Sequence, residues 1–478
     1  MLTCLAVVTL GYHLGVDDAE IYVPAIKHAA DPSLYPYGSE FFMMHAHLSL
    51  FPDLVGDSSY WTRLPINVVI FLWFVIGIFL LLFASWRLLC ACFDHEQARW
   101  CGVVLVTCLL SVPVAGTALV IMDPYITARS LSTPATLMAI AYYVAGRPKI
   151  AALWLLATAA IHPQMAVYGA CFLVCMAWAA QRRWRTEAKP AYALLGATII
   201  PFLFEFEPAR GAAREALLSR TYFFVSNWAW YEWVGIAAPL ALLWWFSSAR
   251  FRGTSLAFAP LARTLVPFGL LFAAAGVILT FPGKLENYAR LQPMRAFHLV
   301  YVVFFILLGG LVGEYVLQRR AWRWLVLFIP LMFSMGLLQE SEFPSSAHIE
   351  WPGARYRENW TSAFVWVRDH TPKDAVFALD PNYMLVHGED EHGFRAIAER
   401  SALADNIKDS GAVSLFPQLA EDWKDQVDAQ RGWEHFQRSD FEGLARHYPV
   451  TWIVTQRPGP AGLTCPYTNR ELAVCQMR

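Results

Sequence analysis

The sequence predicts a mainly α protein: a polytopic transmembrane helix bundle of about eleven spans, followed by a small soluble α/β domain. Three features point that way. Of 478 residues, 57% are apolar or aromatic and only 16% are charged, against about 25% charge in an average soluble domain. Phe, Trp and Tyr make up 15% of the chain, which suits long stretches at a lipid–water boundary. Apolar blocks separated by short charged loops recur as far as residue 338, and the composition then turns polar. The 37 Lys and Arg residues balance 38 Asp and Glu, which leaves no basic face for a nucleic-acid partner. Nine cysteines are too few for a disulfide scaffold, and none has zinc-site spacing.

Residues 1–12 are apolar but cover only about 18 Å as a helix. They are read as a first span with a clipped start, the initiator lying upstream. A signal-peptide core is the alternative, disfavoured because no small-residue cleavage site follows. Further spans are read over 66–86, 100–122, 131–145, 150–161, 164–180, 191–206, 234–246, 265–281, 297–317 and 322–338. The short ones must tilt little or thin the bilayer. With the N-terminus inside, the inner loops (87–99, 146–149, 181–189, 248–264, 318–323) hold 14 Lys and Arg in 49 residues. The outer loops (13–63, 123–131, 162–163, 207–232, 283–295) hold 9 in about 100, so the bias obeys the positive-inside rule. An odd span count then places 340–478 outside the cytoplasm, provided that both short spans beside His162 cross. The chain divides into a membrane domain, 1–339, whose first outer loop is 13–63, and a soluble domain, 340–478.

The tail is long enough to bury its own core. Strands are expected over 375–379, 450–454 and 472–477, and helices over 361–370, 415–430 and 440–447. Cys465 and Cys475 flank the breaker-rich turn 457–462. Outside the cytoplasm they are expected to form a disulfide.

Ionisable groups at membrane depth need a partner or a role, and four clusters fall at the expected outer face. Asp17, Asp18 and Glu20 put three carboxylates within four residues. Crowded anions raise one another's pKa or gather a cation, which suits a general base; alternatively Asp17 or Asp18 merely caps the helix that follows. Asp123 and Arg129 form either an ion pair or, through the planar guanidinium of Arg129, a phosphate site. His162 precedes Pro163 between two short spans, as a packing residue or a ligand contact. Lys284, Arg290, Arg295 and His298 gather basic side chains on the side where the bias disfavours them, and Arg295 and His298 share a helical face. Carboxylates facing cations at the depth of a lipid phosphate suit a transferase whose donor is a polyprenyl-phosphate-linked sugar.

The stretches Gly-Val-Asp-Asp-Ala-Glu at 15–20, Tyr-Val-Pro-Ala at 22–25 and Asp-Pro-Ser-Leu-Tyr-Pro at 31–36 resemble the GT-C-type multi-spanning glycosyltransferase superfamily, most of all its uncharacterised bacterial membrane members. The resemblance continues through 123–134, 161–163, 366–377 and 394–401. It implies a GT-C-like bundle with a catalytic acid on the first outer loop, a polyprenyl-phosphate sugar donor and an outer C-terminal domain. Asp17 and Asp18 match the family's acidic pair, so one of them takes the base role, with Glu20 as a supporting carboxylate or metal ligand. Arg295 and His298 match, loosely, the basic group aimed at the donor phosphate; Arg129, His162 and Arg290 join them as donor contacts. The Trp-Trp-Asp-Tyr-Gly signature of the oligosaccharyltransferase branch is absent from 340–478, which argues against protein N-glycosylation and weakens the case for an obligate divalent metal. The resulting expectation is an inverting glycosyltransferase at the outer face of the bacterial inner membrane, acting on an acceptor that the sequence does not identify. The alternatives are a non-catalytic GT-C-like assembly or scaffold subunit and a lipid-linked sugar transporter; a transporter would show internal repeats and mid-span charges, and neither is seen.

Overall fold

Nine helices fill the first 182 residues: α1 (Leu2–Leu10), α2 (Ala19–Ala30), α3 (Glu40–Ala46), α4 (Phe51–Thr62), α5 (Ile66–Cys92), α6 (Glu96–Cys108), α7 (Ala128–Val144), α8 (Pro148–Ile161) and α9 (Pro163–Arg182). They belong to a computed structural model that describes residues 1–182, 208–280, 285–354, 356, 358–386 and 389–477. Among the described residues the chain is mainly helical, with one small sheet near its C-terminus. Five helices among the described residues are long and apolar enough to cross a membrane: Ile66–Cys92, Pro163–Ala180, Phe258–Leu279, Glu286–Leu317 and Ala321–Glu342. Pro65 opens α5 at a φ already suited to a helix, and its 27 residues run for about 40 Å. On Ala321–Glu342, Leu325, Ile329 and Phe333 are each more than half exposed. They recur every four residues, so they form one apolar stripe on the outward surface of a helix long and apolar enough to cross a membrane.

One expected span is corrected. The apolar run 100–122 is not a single helix: α6 stops at Cys108. Pro113 lacks a donor and disfavours helix in the residue before it, so the chain folds back as a buried irregular hairpin. Its hydrogen bonds run from Val114 N–H to the Leu119 carbonyl (2.7 Å) and from Met122 N–H to that of Leu110 (2.8 Å). This hairpin delivers Asp123 to the start of α7. The run 297–317 is an α-helix, Phe297–Val312, closed by a π turn at Gly313–Leu317. The span expected over 191–206 and the side chains of the basic run from Arg182 lie outside the described residues.

Two of the expected inner loops, 87–99 and 248–264, meet at the end of the Phe297–Leu317 run. Phe93 pairs with Thr254, His95 Nδ1 lies 2.8 Å from Glu314 Oε1, and the Tyr315 hydroxyl donates to the Arg252 carbonyl at 2.8 Å. The length of α5 separates this end from the loop 13–63, which packs under the tail.

The tail carries a mixed five-stranded sheet, ordered β2–β1–β3–β5–β4, with β1 Val376–Ala378, β2 Ser401–Ala402, β3 Trp452–Gln456, β4 Thr464–Thr468 and β5 Leu472–Gln476. β1 runs parallel to β2 and β3, and β5 runs antiparallel to β3 and β4. A disulfide joins Cys465 of β4 to Cys475 of β5.

The first loop is tied to the tail through its backbone. Tyr12 N–H donates to the His348 carbonyl (2.9 Å), Glu350 N–H to that of Tyr12 (2.8 Å) and Asp17 N–H to that of Glu391 (2.9 Å). Gly11 permits the turn, with φ +77 and a position where a Cβ would stand 2.6 Å from the His348 carbonyl. Buried charges reinforce the tie. His392, 2% exposed, sits between Glu350 (Nε2 to Oε1, 2.6 Å) and Glu358 (Nδ1 to Oε2, 2.7 Å). Burial pushes the Glu350 carboxyl up, but His392 and His13 outweigh it and hold it down at about 2. A depressed carboxylate contributes stability that is fully present above its unfolded value and is lost as pH falls through the folded one. The Glu350 contribution is therefore constant above pH ~4.5 and lost between there and pH ~2. Glu350→Gln is expected to lower stability by about 2 kcal/mol at pH 7 by removing one of the two carboxylates that hold His392, and to flatten the acid side of the melting-temperature profile. A variant that melts like the parent from pH 7 to pH 3 contradicts the assignment.

Candidate functional site

Asp17 and Asp18 stand where the first loop turns into α2. Asp17 occupies the left-handed region, φ +51, which Asp tolerates better than most residues. Its carboxylate accepts from the Tyr125 hydroxyl at 2.8 Å and from the Lys408 ammonium. Asp18 is the N-cap residue of α2, yet its side chain makes no capping hydrogen bond. Instead its Oδ1 lies 3.6 Å from Lys408 Nζ. Burial pushes the Asp18 carboxyl up, and Lys408, Arg129, Arg295 and Arg220, in that order of strength, overcome it and hold the group below its ordinary range. Burial works against the Lys408 charge as well, but Asp17 and Asp18 keep it firmly protonated.

The cations arrive on separate elements. Arg129 is in the first turn of α7, where Thr127 N–H donates to Ser130 Oγ at 3.1 Å and holds the helix start. Its guanidinium donates to both Asp123 oxygens (2.9 and 2.7 Å), and Thr127 donates to Asp123 as well (3.1 Å). Arg295 sits in the short 3₁₀ turn before Phe297–Val312. Its guanidinium lies 5.8 Å from the Tyr222 ring centroid, and its buried Nε has no hydrogen-bond partner. His298, one turn on, places Nε2 3.1 Å from the Ile121 carbonyl and leaves a buried Nδ1 without a partner. His162 ends α8 and feels the charges of Arg129, His45, Arg295 and His298. Asp17, Asp18, Arg129, His162, Arg295 and His298 thus share one neighbourhood.

Glu20 does not join it. Both of its oxygens accept backbone N–H groups across the loop–tail junction, from Arg395 and Ala396 at 2.8 Å. A Cβ on Gly393 would collide with it. Burial, opposed by Arg395, raises its carboxyl to about 8. No metal site forms from the three carboxylates: Asp17 and Asp18 face Lys408, Glu20 faces the tail, and among the described residues no three His, Cys, Asp or Glu side chains gather as metal ligands. Arg290 folds back onto Asn287 and lies at the rim of the adjoining cavity. Lys284 lies outside the described residues.

That cavity, about 890 Å³, runs between α2–α4, α9 and Phe258–Leu279. Its walls are apolar along most of their length, with Phe42, Phe51, Val167, Phe272 and Ile278 among them. Tyr22, His45, His162 and Arg290 are among the polar residues of the wall, with Ser49, Gln164 and Tyr168; Tyr22 and His45 pair edge-on, with ring centroids 5.3 Å apart. The cavity can therefore take a long apolar molecule with an anionic head.

Lys408, Arg220, His45, Tyr22 and Tyr125 were not singled out by sequence reasoning. Arg220, which donates to the Ile407 carbonyl and to Ser410, is one of three arginines in the expected outer loop 207–232, and that excess was its only signal. Lys408 reaches the acids across 391 positions of chain, and no local pattern marks it.

No protein-family model matches this chain, and no curated protein matches it either.

Lys408→Gln removes the strongest opposing charge on Asp18. The Asp18 carboxyl is expected to titrate higher in the variant, read by carboxyl-carbon NMR of Asp-labelled protein. An unchanged titration contradicts the assigned pairing.

Proposed function

We propose that the protein is a GT-C-type membrane glycosyltransferase that moves a sugar from a polyprenyl-phosphate donor to an acceptor hydroxyl, with Asp17 or Asp18 as general base. The proposal includes the bundle of about eleven spans, its seat in the bacterial inner membrane and the position of the tail outside the cytoplasm. One observation carries it: Asp18, paired with Lys408, lies within the fields of the cations Arg129 and Arg295 beside a cavity apolar along most of its wall. An isoprenoid chain fits the apolar length, and the phosphate fits the orphaned Nε of Arg295 and the guanidinium of Arg129.

In the proposed step the acceptor oxygen attacks the anomeric carbon and the carbon–phosphate-oxygen bond breaks. The electron pair leaves with the phosphate, whose added charge the guanidinium groups stabilise. The acceptor proton passes to Asp17 or Asp18, and attack opposite the leaving group inverts the anomeric centre. A carboxylate held low is a weak base. A donor phosphate between Arg129 and Arg295 neutralises two of the charges that hold Asp18 down, so donor binding strengthens the base when it is needed.

The test is sugar transfer by purified protein in nanodiscs, from labelled polyprenyl-phosphate sugars to a native membrane extract. Asp17→Asn or Asp18→Asn, whichever removes the base, is expected to lower turnover at least ~100-fold. Full turnover in both variants rules out the assigned base.

A further inference from the structure

A second cavity of about 750 Å³ shares no lining residue with the first. It opens between the start of α5 (Asn67), the end of the first span (Tyr12) and the tail segment bearing Glu350, Tyr356 and Arg368. Its volume falls in the ~300–1,000 Å³ range of small-molecule sites.

Its charges are already matched. Glu350 faces His392 at 2.6 Å, Arg368 faces Asp369 at 2.8 Å, and Glu399 faces Lys27 at 2.7 Å. An ionic ligand would have to break one of these pairs. The polar atoms left over are neutral. Tyr12, 1% exposed and packed against Phe71 and Phe74 with ring centroids 4.9 Å away in each case, buries a hydroxyl with no hydrogen-bond partner. Asn67 buries an amide oxygen with none. Buried polar groups seldom remain unpaired, and here one donor–acceptor and one acceptor line the same space.

We infer that this pocket binds a neutral polyhydroxylated ligand, a sugar or short glycan, held by the Tyr12 hydroxyl and the Asn67 amide. Hydroxyl groups both donate and accept, so they satisfy both atoms without disturbing the ion pairs. The inference is independent of the glycosyl-transfer reading and survives its failure.

The experiment is saturation-transfer NMR on the full chain in nanodiscs with methyl α-glucoside, N-acetylglucosamine and maltose, alongside glucosamine and glucose 6-phosphate as charged counterparts. At least one neutral sugar is expected to receive saturation, and Tyr12→Phe and Asn67→Leu are each expected to weaken its binding roughly fivefold. Tyr12→Phe keeps the packed ring, and an unchanged melting temperature verifies its fold; Asn67→Leu reads the same pocket from α5 should the first variant melt early. Three results overturn the inference: no transfer to any neutral sugar, stronger transfer to a charged counterpart, or undiminished transfer in both variants.

Discussion

A charge removed from water must be paired, and that requirement organises this molecule around its first loop. The loop lies between the bundle and the tail, and it carries Glu20 and Lys27, both buried, with Asp17 and Asp18 part-exposed at its edge. Each finds a counterpart on another element: Lys408 for the two aspartates, backbone N–H groups and Arg395 for Glu20, and Glu399 for Lys27. His392 between two glutamates and Arg395 on Asp409 extend the network inside the tail. The loop cannot leave its seat without stranding several of these groups at once.

The consequence for the site is preorganisation. Arg129, Arg295 and Lys408 come from an apolar helix, a 3₁₀ turn and the tail, yet their fields converge on Asp18. Such a set of cations around an acid is poised to exchange one anion for another, and under the proposed function the neighbouring apolar cavity is the route for a lipid-borne one. The orphaned nitrogens of Arg295 and His298 mark where that exchange leaves capacity unused.

Much of the helical fold was legible because apolar length is a strong signal. The runs 66–86 and 322–338 became Ile66–Cys92 and Ala321–Glu342, and the strand expected at 472–477 became Leu472–Gln476. Composition failed over 100–122 because a buried hairpin and a span are equally apolar; Pro113 was the distinguishing mark. The acids and several cations of the site were legible as polar residues in costly places. Glu20 was misleading by proximity: two residues past Asp18 at the start of a helix, it is rotated by about 200° and serves the opposite face. Lys408 was invisible because its role exists only after the tail folds over the loop.

The proposed function requires first-loop acids and later cations to meet beside one cavity that accepts a lipid. A cryo-EM map of the protein in nanodiscs with a polyprenyl phosphate tests it most directly. The account predicts an elongated density along Phe42, Val167 and Phe272, with the phosphate between Arg129 and Arg295 and within reach of Asp18. A map with Asp18 in open solvent far from Arg295, or with the lipid bound elsewhere and the cavity collapsed, contradicts it.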